Sequence, residues 1–491
     1  MSTTLESASD SGKPPQSSTP QAGQPALRRC MGMFQLLFTV LAFNGPLAII
    51  VGYITVVIGM GNGLGAPMAY IACGILIWVF AAGFTRMAHH LQNPGGFYAF
   101  VTAGLGKPAG LAASFLALAS YYFILLGATA YSGLLMQQLV SGTLHGPHIP
   151  WWVWMSVWVT ITATFGYLKL DLSARVLTYL LAGEIVIAGI YAGCVTAKGG
   201  AEGLSFNSFT PQMAMSGSIG LALLFAIMNF GGFEATAIYR EEVKDPDRTI
   251  PRATNIFIIT VTVLFAISAW VIIQALGPSH AVAAAAANPT GVVSDTIGQF
   301  VGRWAQLVVS ILVNTSVFAG ILASHNIASR YVYNLSVDGI LPRRLANVHG
   351  RHGSPHRSSV AVSIATVVGL APFILFNANP LVLYAQLSGV YGYSFILLLL
   401  LTTVAVFCWL RRQTLPGVTA WHRTIAPALA GIGLCGVLWL TTTNFKLLLG
   451  SSSELAYITM GGVFATGLSG VAVALLLKRK RPHVYQRIGR Q

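Results

Sequence analysis

The chain has 491 residues, of which 55% are apolar and only 8% charged, whereas a soluble domain carries roughly a quarter charged residues. So little charge cannot cover a water-facing surface, which excludes a soluble globular protein. The formal net charge of +15 does not mark a nucleic-acid binder, because the basic residues fall between apolar runs and at the C-terminus rather than along one face.

Residues 1–28 are rich in Ser, Pro, Gln and Gly, and read as a disordered cytoplasmic tail. No signal-peptide core with a cleavage site precedes the first apolar run, so that run is expected to stay as a span. A bilayer span needs about 20 apolar residues. Twelve stretches meet this requirement, at about 33–59, 66–86, 107–140, 150–169, 175–197, 217–238, 253–276, 304–333, 358–377, 380–410, 425–447 and 455–477. The fold class is therefore an all-α membrane protein with 12 transmembrane helices. With the N-terminus inside, every one of the 28 basic residues except Lys198, Arg303 and Lys446 lies on the cytoplasmic side, as the positive-inside rule requires. This threading places both termini in the cytoplasm and the protein in the cytoplasmic membrane, inner or plasma. The tail sequence Lys478-Arg479-Lys480-Arg481 is placed against anionic lipid.

Span 1 is interrupted at Phe43-Asn44-Gly45-Pro46 and span 6 at Asn229-Phe230-Gly231-Gly232. Pro removes an amide donor and clashes with the preceding turn, and Gly weakens a helix by about 1 kcal/mol. Both interruptions are mid-span and five spans apart. A repeat with an odd number of spans must place its second copy upside down. Paired broken helices in inverted repeats point to a binding site at the midplane.

Gly232-Phe233-Glu234, Glu241-Glu242 and Asp245-Pro246-Asp247-Arg248-Thr249-Ile250-Pro251-Arg252-Ala253 resemble the amino acid–polyamine–organocation permease family. Asn93-Pro94-Gly95-Gly96-Phe97-Tyr98 after span 2, and Arg330 followed by Asp338-Gly339-Ile340-Leu341-Pro342 after span 8, match the same family. The resemblance covers about residues 30–410. It implies a transport core at 29–411 with inverted repeats at about 33–197 and 217–410, two peripheral spans within 412–478, and a basic tail at 479–491. It also implies coupled transport or exchange of amino acids or amines. Span 1 departs from the family's usual Gly-Ser-Gly-Ile-like segment, reading Asn44-Gly45-Pro46-Leu47, so pocket shape and substrate do not carry over.

Where span 1 resumes, a new helix begins with unpaired amides and the positive end of its dipole, a receptor for a carboxylate. The expected donors are the amides of Leu47, Ala48 and Ile49, with Gly45 giving close approach; Pro46 cannot donate. The carbonyls near Leu41, Ala42, Met228 and Asn229 are expected to receive a substrate ammonium. Phe43 and Asn44 line the first break, Phe230 is expected to close over the substrate, and Gly45, Gly231 and Gly232 are expected to hinge.

Two acids lie inside spans. Glu234 falls in the first turn where span 6 resumes, favoured there by the helix dipole. Glu184 lies nine residues beyond Arg175, roughly 13–14 Å into the membrane. An ionisable group at that depth marks function by default. Glu184 reads as a proton-coupling residue, with recognition of a cationic substrate and a satisfied structural acid as the alternatives; Glu234 joins it in the coupling set, weighed against a structural acid that the resemblance makes usual at that position. The resemblance implies a Lys in span 5 of many relatives, standing in for sodium, so an acid there is a departure. Sodium-using relatives offer paired hydroxyls in span 8, whereas Val317–Ser324 supplies only Ser324. His325 is a second titratable group near the inner end of span 8. Tyr121, Tyr122 and Tyr391 are weighed as pocket-lining or packing residues. Glu241 or Glu242 is weighed as a partner of Arg86 or Arg330 in an inner gate, against a solvated loop.

The five cysteines, Cys30, Cys73, Cys194, Cys408 and Cys435, lack metal-ligand spacing. No HExxH, Cys/His cluster or nucleophile elbow appears, so no enzyme activity, metal or cofactor is expected. The reading is a secondary transporter of amino acids, proton-coupled and working by alternating access. Its partners are a small amino acid or amine, protons and the lipid bilayer, with no nucleic acid. Neutral amino acids rank first as substrates; cationic amino acids or polyamines come second. A channel, or a sensor that binds an amine without moving it, is the rival from another class.

Overall fold

Proline punctuates the apolar runs and marks where helices begin: Pro46, Pro108, Pro246, Pro380 and Pro427 all sit in first turns, where a missing amide hydrogen leaves no bond unmade. A computed structural model describes residues 31–91, 95–168, 174–234, 236, 240, 243–349, 354–413, 415–450 and 453–489. The expected tail 1–28, Cys30, Asn93-Pro94 and the weighed gate residues Glu241 and Glu242 lie outside the described residues.

Every regular element among the described residues is helical, and extended pairing is limited to a bridge between Met31 and Val243. The first half holds α1 (Met33–Asn44), α2 (Pro46–Ala48), a π-helical turn at Ile49–Tyr53 and α3 (Ile54–Met60), then α4 (Ala66–His90), α5 (Gly96–Leu105), α6 (Lys107–Gln137), α7 (Trp151–Leu168) and α8 (Ala174–Ala197). Short α9 (Pro211–Ala214) and α10 (Ile219–Met228) lead into the second half. There follow α11 (Pro246–Leu276), α12 (Ala281–Ala287), α13 (Val292–Phe300), α14 (Arg303–Val337), α15 (His356–Leu375), α16 (Pro380–Arg412), α17 (Ala426–Leu449), α18 (Ser453–Lys480) and α19 (Pro482–Arg487). Ten helical stretches among the described residues are long and apolar enough to cross a membrane. The expected fourth span is the 18-residue α7, rich in Trp, and the expected sixth is represented by α10, which stops after ten residues at its break.

Packing inverts the soluble pattern. On α11, Ile256, Ile259, Val263 and Ile267 are exposed. Their spacing of three and four residues makes one apolar stripe with no protein over it, a face suited to lipid. The opposite face of α11 packs along α4, while α6 lies at the centre against α14, α16 and α18.

The two ends of the bundle differ in charge. At the basic end, Arg240 donates to Asp247 (2.6 Å) and to the Ala88 carbonyl, Lys107 to the Gln486 carbonyl, and Arg412 to the Gly104 carbonyl. At the opposite end, Lys198 donates to the Phe300 carbonyl, and Glu202 accepts from Ser279.

Candidate functional site

Span 1 breaks at one residue. α1 ends at Asn44, Gly45 takes φ +53°, and α2 starts at Pro46. A side chain at Gly45 would bring its Cβ to 2.9 Å from the Ser316 carbonyl oxygen on α14, so both the left-handed backbone and the close approach require glycine. Span 6 breaks over a longer stretch. After Met228 the chain tightens, with the amides of Asn229, Phe230 and Gly231 bonding to the carbonyls of Ala226, Ile227 and Met228. Gly232 then takes φ +101°, with the Phe43 ring where its Cβ would lie.

The two interruptions touch. Asn44 Nδ2 donates to the Asn229 carbonyl at 2.7 Å, and Asn229 Nδ2 donates to the Tyr70 hydroxyl. Between them lies a cavity of about 60 Å³, walled by Phe43, Asn44, Ala48, Asn229, Ser316 and Tyr391 among others. That is room for a few waters or, with small side-chain shifts, a small solute.

Glu184 occupies the place that the broken helix reserves for an anion. It comes from α8, is 4% exposed, and its Oε2 accepts from the Leu47 amide at 3.0 Å and from the Ser316 hydroxyl at 2.9 Å. Of the three amides expected to meet a carboxylate, Leu47 therefore holds an internal one, and the Ile49 amide closes onto the Gly45 carbonyl. The acceptors are also engaged: the Ala42 carbonyl takes the Gly45 amide, the Asn229 carbonyl takes Asn44, and the Met228 carbonyl takes Gly231 and the Tyr391 hydroxyl. The Ala42 and Asn229 carbonyl oxygens each retain a second lone pair, whereas both lone pairs of Met228 are taken.

Tyrosines flank the cavity on both sides. Toward the basic end, Glu234 is fully buried and accepts from the Tyr121 hydroxyl and from the Gly232 amide. Tyr121 stacks on Tyr331 and meets Phe43 edge-on. Toward the opposite end, Tyr384 stacks between Tyr53 and Tyr131, at 4.7 and 4.1 Å between ring centres. Beyond this second tier, a vestibule of about 670 Å³ reaches in as far as Val51, Val313 and Asn314. The pocket wall continues only two residues deeper on each helix, at Ile49 and Ser316.

The remaining expected residues divide. Phe230 is fully buried and absent from the cavity wall, where Phe43 stands instead; a turn's tightening after Met228 rotates the Phe230 ring into packing. Of the weighed tyrosines, Tyr391 lines the cavity, Tyr121 holds Glu234, and Tyr122 donates to the Ala365 carbonyl on α15. His325 is 2% exposed and bonded to Ser359, a packed pair rather than part of the site. Among the described residues no group of His, Cys, Asp and Glu is arranged to hold a metal.

The amino acid permease family model matches residues 36–480. The chain belongs to the amino acid permease family. It is similar to a low-affinity putrescine importer of Escherichia coli, 20% identical over 88% of this chain and 92% of that protein. It is also similar to a lysine-specific permease of Lactococcus lactis, 26% identical over 69% and 68% of the two chains. An uncharacterised transporter of Mycobacterium tuberculosis is 29% identical over 64% of this chain and 72% of its own. This permease is thus a multi-pass membrane transporter and not an enzyme, and its relatives carry amino acids or amines.

Ser316, Tyr53, Tyr131 and Tyr384 escaped the reading of the permease's sequence. Ser316 falls one residue before the stretch of span 8 searched for hydroxyls. The tyrosines look like ordinary packing aromatics until the π-helical turn at Ile49–Tyr53, α6 and α16 bring them together.

Proposed function

We propose that this permease is a secondary transporter of amino acids, coupled to protons through Glu184 and working by alternating access. Its substrate sits between the two broken helices. The carbonyls that end α1 and α10, with the faces of Phe43 and Tyr391, receive the ammonium. Of the amides that start α2, that of Ala48 is left to receive the carboxylate. Twelve spans, ten of them in two inverted repeats with two peripheral, and both termini in the cytoplasm are part of this reading. The basic end is then the cytoplasmic end.

The observation that carries it is the Glu184 carboxylate on the Leu47 amide. A substrate carboxylate arriving at the same helix start meets a like charge a few ångströms away in a water-poor site. The two coexist only if Glu184 is protonated, so substrate and proton bind together. Glu234 and Tyr121 form the thicker barrier, toward the cytoplasm, and the tier of Tyr53, Tyr131 and Tyr384 forms the thinner one beneath the outer vestibule. Rocking one bundle against the other would exchange these barriers.

A second reading is favoured by the same contact. An amine without a carboxylate needs no amide at α2 and gains from a charged Glu184. Counterflow in proteoliposomes with a neutral amino acid, a cationic amino acid and a diamine tests both. An imposed pH gradient should drive accumulation of an amino acid substrate. Saturable counterflow of the diamine alone would favour the second reading, and unsaturable flux of all three would sink the transporter mechanism.

A further inference from the structure

We propose that a groove at the basic end binds the phosphate of an anionic phospholipid headgroup. The groove lies between α4, the first turns of α11 and the π-helical turn Trp421–Ile425, and encloses about 410 Å³. Arg86, His89, Arg252 and His422 line its polar part, and Trp78 and Trp421 its apolar part.

Its charge is unbalanced. Asp247 is the one acid lining it among the described residues, and it is already held by Arg240 at 2.6 Å and approached by His89 at 3.3 Å. No carboxylate among the described residues forms an ion pair with Arg86 or Arg252. Arg248 also lines the groove and lies 4.0 Å from Asp245, so two guanidinium groups without an ion pair among the described residues, Arg86 and Arg252, face one cavity with forked donors suited to a phosphate.

The shape assigns the source of that phosphate. Trp78 lies eight residues before Arg86 on α4, about 12 Å further along the helix axis. Trp78 is 51% exposed and Trp421 39% exposed, and Ile75, one turn beyond Trp78, is also exposed. The surface of α4 therefore passes from arginine and indole in the groove to a bare aliphatic side chain just beyond it. A phospholipid makes the same passage from phosphate through glycerol to acyl chain, and indoles prefer that boundary. A soluble phosphate would use only the basic part and leave the indoles uncovered.

The test uses full-length protein purified in neutral detergent, with phosphatidylglycerol, phosphatidylcholine of the same acyl chains, or inorganic phosphate added. Native mass spectrometry counts retained lipid, and thermal unfolding reports the linked stabilisation. Phosphatidylglycerol should be retained and should raise the unfolding temperature saturably, and the other two should not. The double substitution Arg86→Gln, Arg252→Gln should weaken phosphatidylglycerol binding about thirtyfold. Substituting Arg343 and Arg344, exposed at the same end but outside the groove, with Gln should leave it unchanged, which separates the groove from general basicity. If the double variant does not fold, Trp421→Ala should reduce retention on its own. Equal retention of the two lipids, or an undiminished phosphatidylglycerol count in the folded groove variants, overturns the site. An equal stabilisation by inorganic phosphate overturns the lipid assignment. None of these readouts involves transport, so they succeed or fail independently of proton coupling.

Discussion

Glu184→Gln is the substitution that isolates the proposed coupling. Glutamine has the same length, and its side-chain oxygen can accept the same two hydrogen bonds, from the Leu47 amide and the Ser316 hydroxyl. The scaffold is thereby kept while the charge is removed. A substrate carboxylate at the start of α2 lies on the order of 5 Å from the Glu184 carboxylate, and two unit charges at that separation repel by about 3 kcal/mol at an effective dielectric of 20. That amounts to roughly a hundredfold in affinity. In the wild type, amino acid binding should therefore weaken as pH rises through the range in which Glu184 ionises, by up to about two orders of magnitude. In the variant it should be flat, and accumulation should no longer follow an imposed pH gradient although counterflow persists. Binding measured by calorimetry across that range, paired with proteoliposome uptake at clamped membrane potential, reads both quantities. If the variant keeps the wild-type pH slope and gradient response, coupling through Glu184 is wrong.

Gly45→Ala forces a Cβ to 2.9 Å from the Ser316 carbonyl at φ +53°, which should lower stability by about 1–3 kcal/mol and abolish counterflow; a thermal melt and a transport assay check it. Tyr121→Phe removes a donor from the buried Glu234 carboxylate, a loss of about 1–3 kcal/mol. Cysteines placed near Phe43 should then react faster with reagent added from the basic end. Truncation before Pro482 removes Val484 and Ile488, 5% and 1% exposed, and the Gly489 amide that donates to the Tyr98 hydroxyl. Hydrogen exchange in α5 should rise, with a stability loss of a few kcal/mol for two buried aliphatic side chains; unchanged exchange would mean that α19 docks without consequence.

The helices were legible because their causes are local. Apolar run length sets a span, and the observed helices begin and end within a few residues of those runs for most of them, with α11 starting earlier at Pro246. The breaks were legible for the same reason: Gly45-Pro46 and Gly231-Gly232 interrupt a helix through their own backbone chemistry. The fourth run, expected at 150–169, is α7 at Trp151–Leu168.

The depth of Glu184 follows from counting residues beyond Arg175, but its partners do not, since Leu47 and Ser316 are 137 and 132 residues away in the chain. The same limit explains why Phe43 rather than Phe230 faces the cavity, and why Tyr53, Tyr131 and Tyr384 form one tier. Sequence by itself determined where this permease forms long apolar helices and where those helices fail, because each is a property of a short segment. Only the tertiary structure decided which charge caps which broken helix and which aromatic faces which space. Those depend on helix rotation and approach, which are set by packing among segments far apart in the chain.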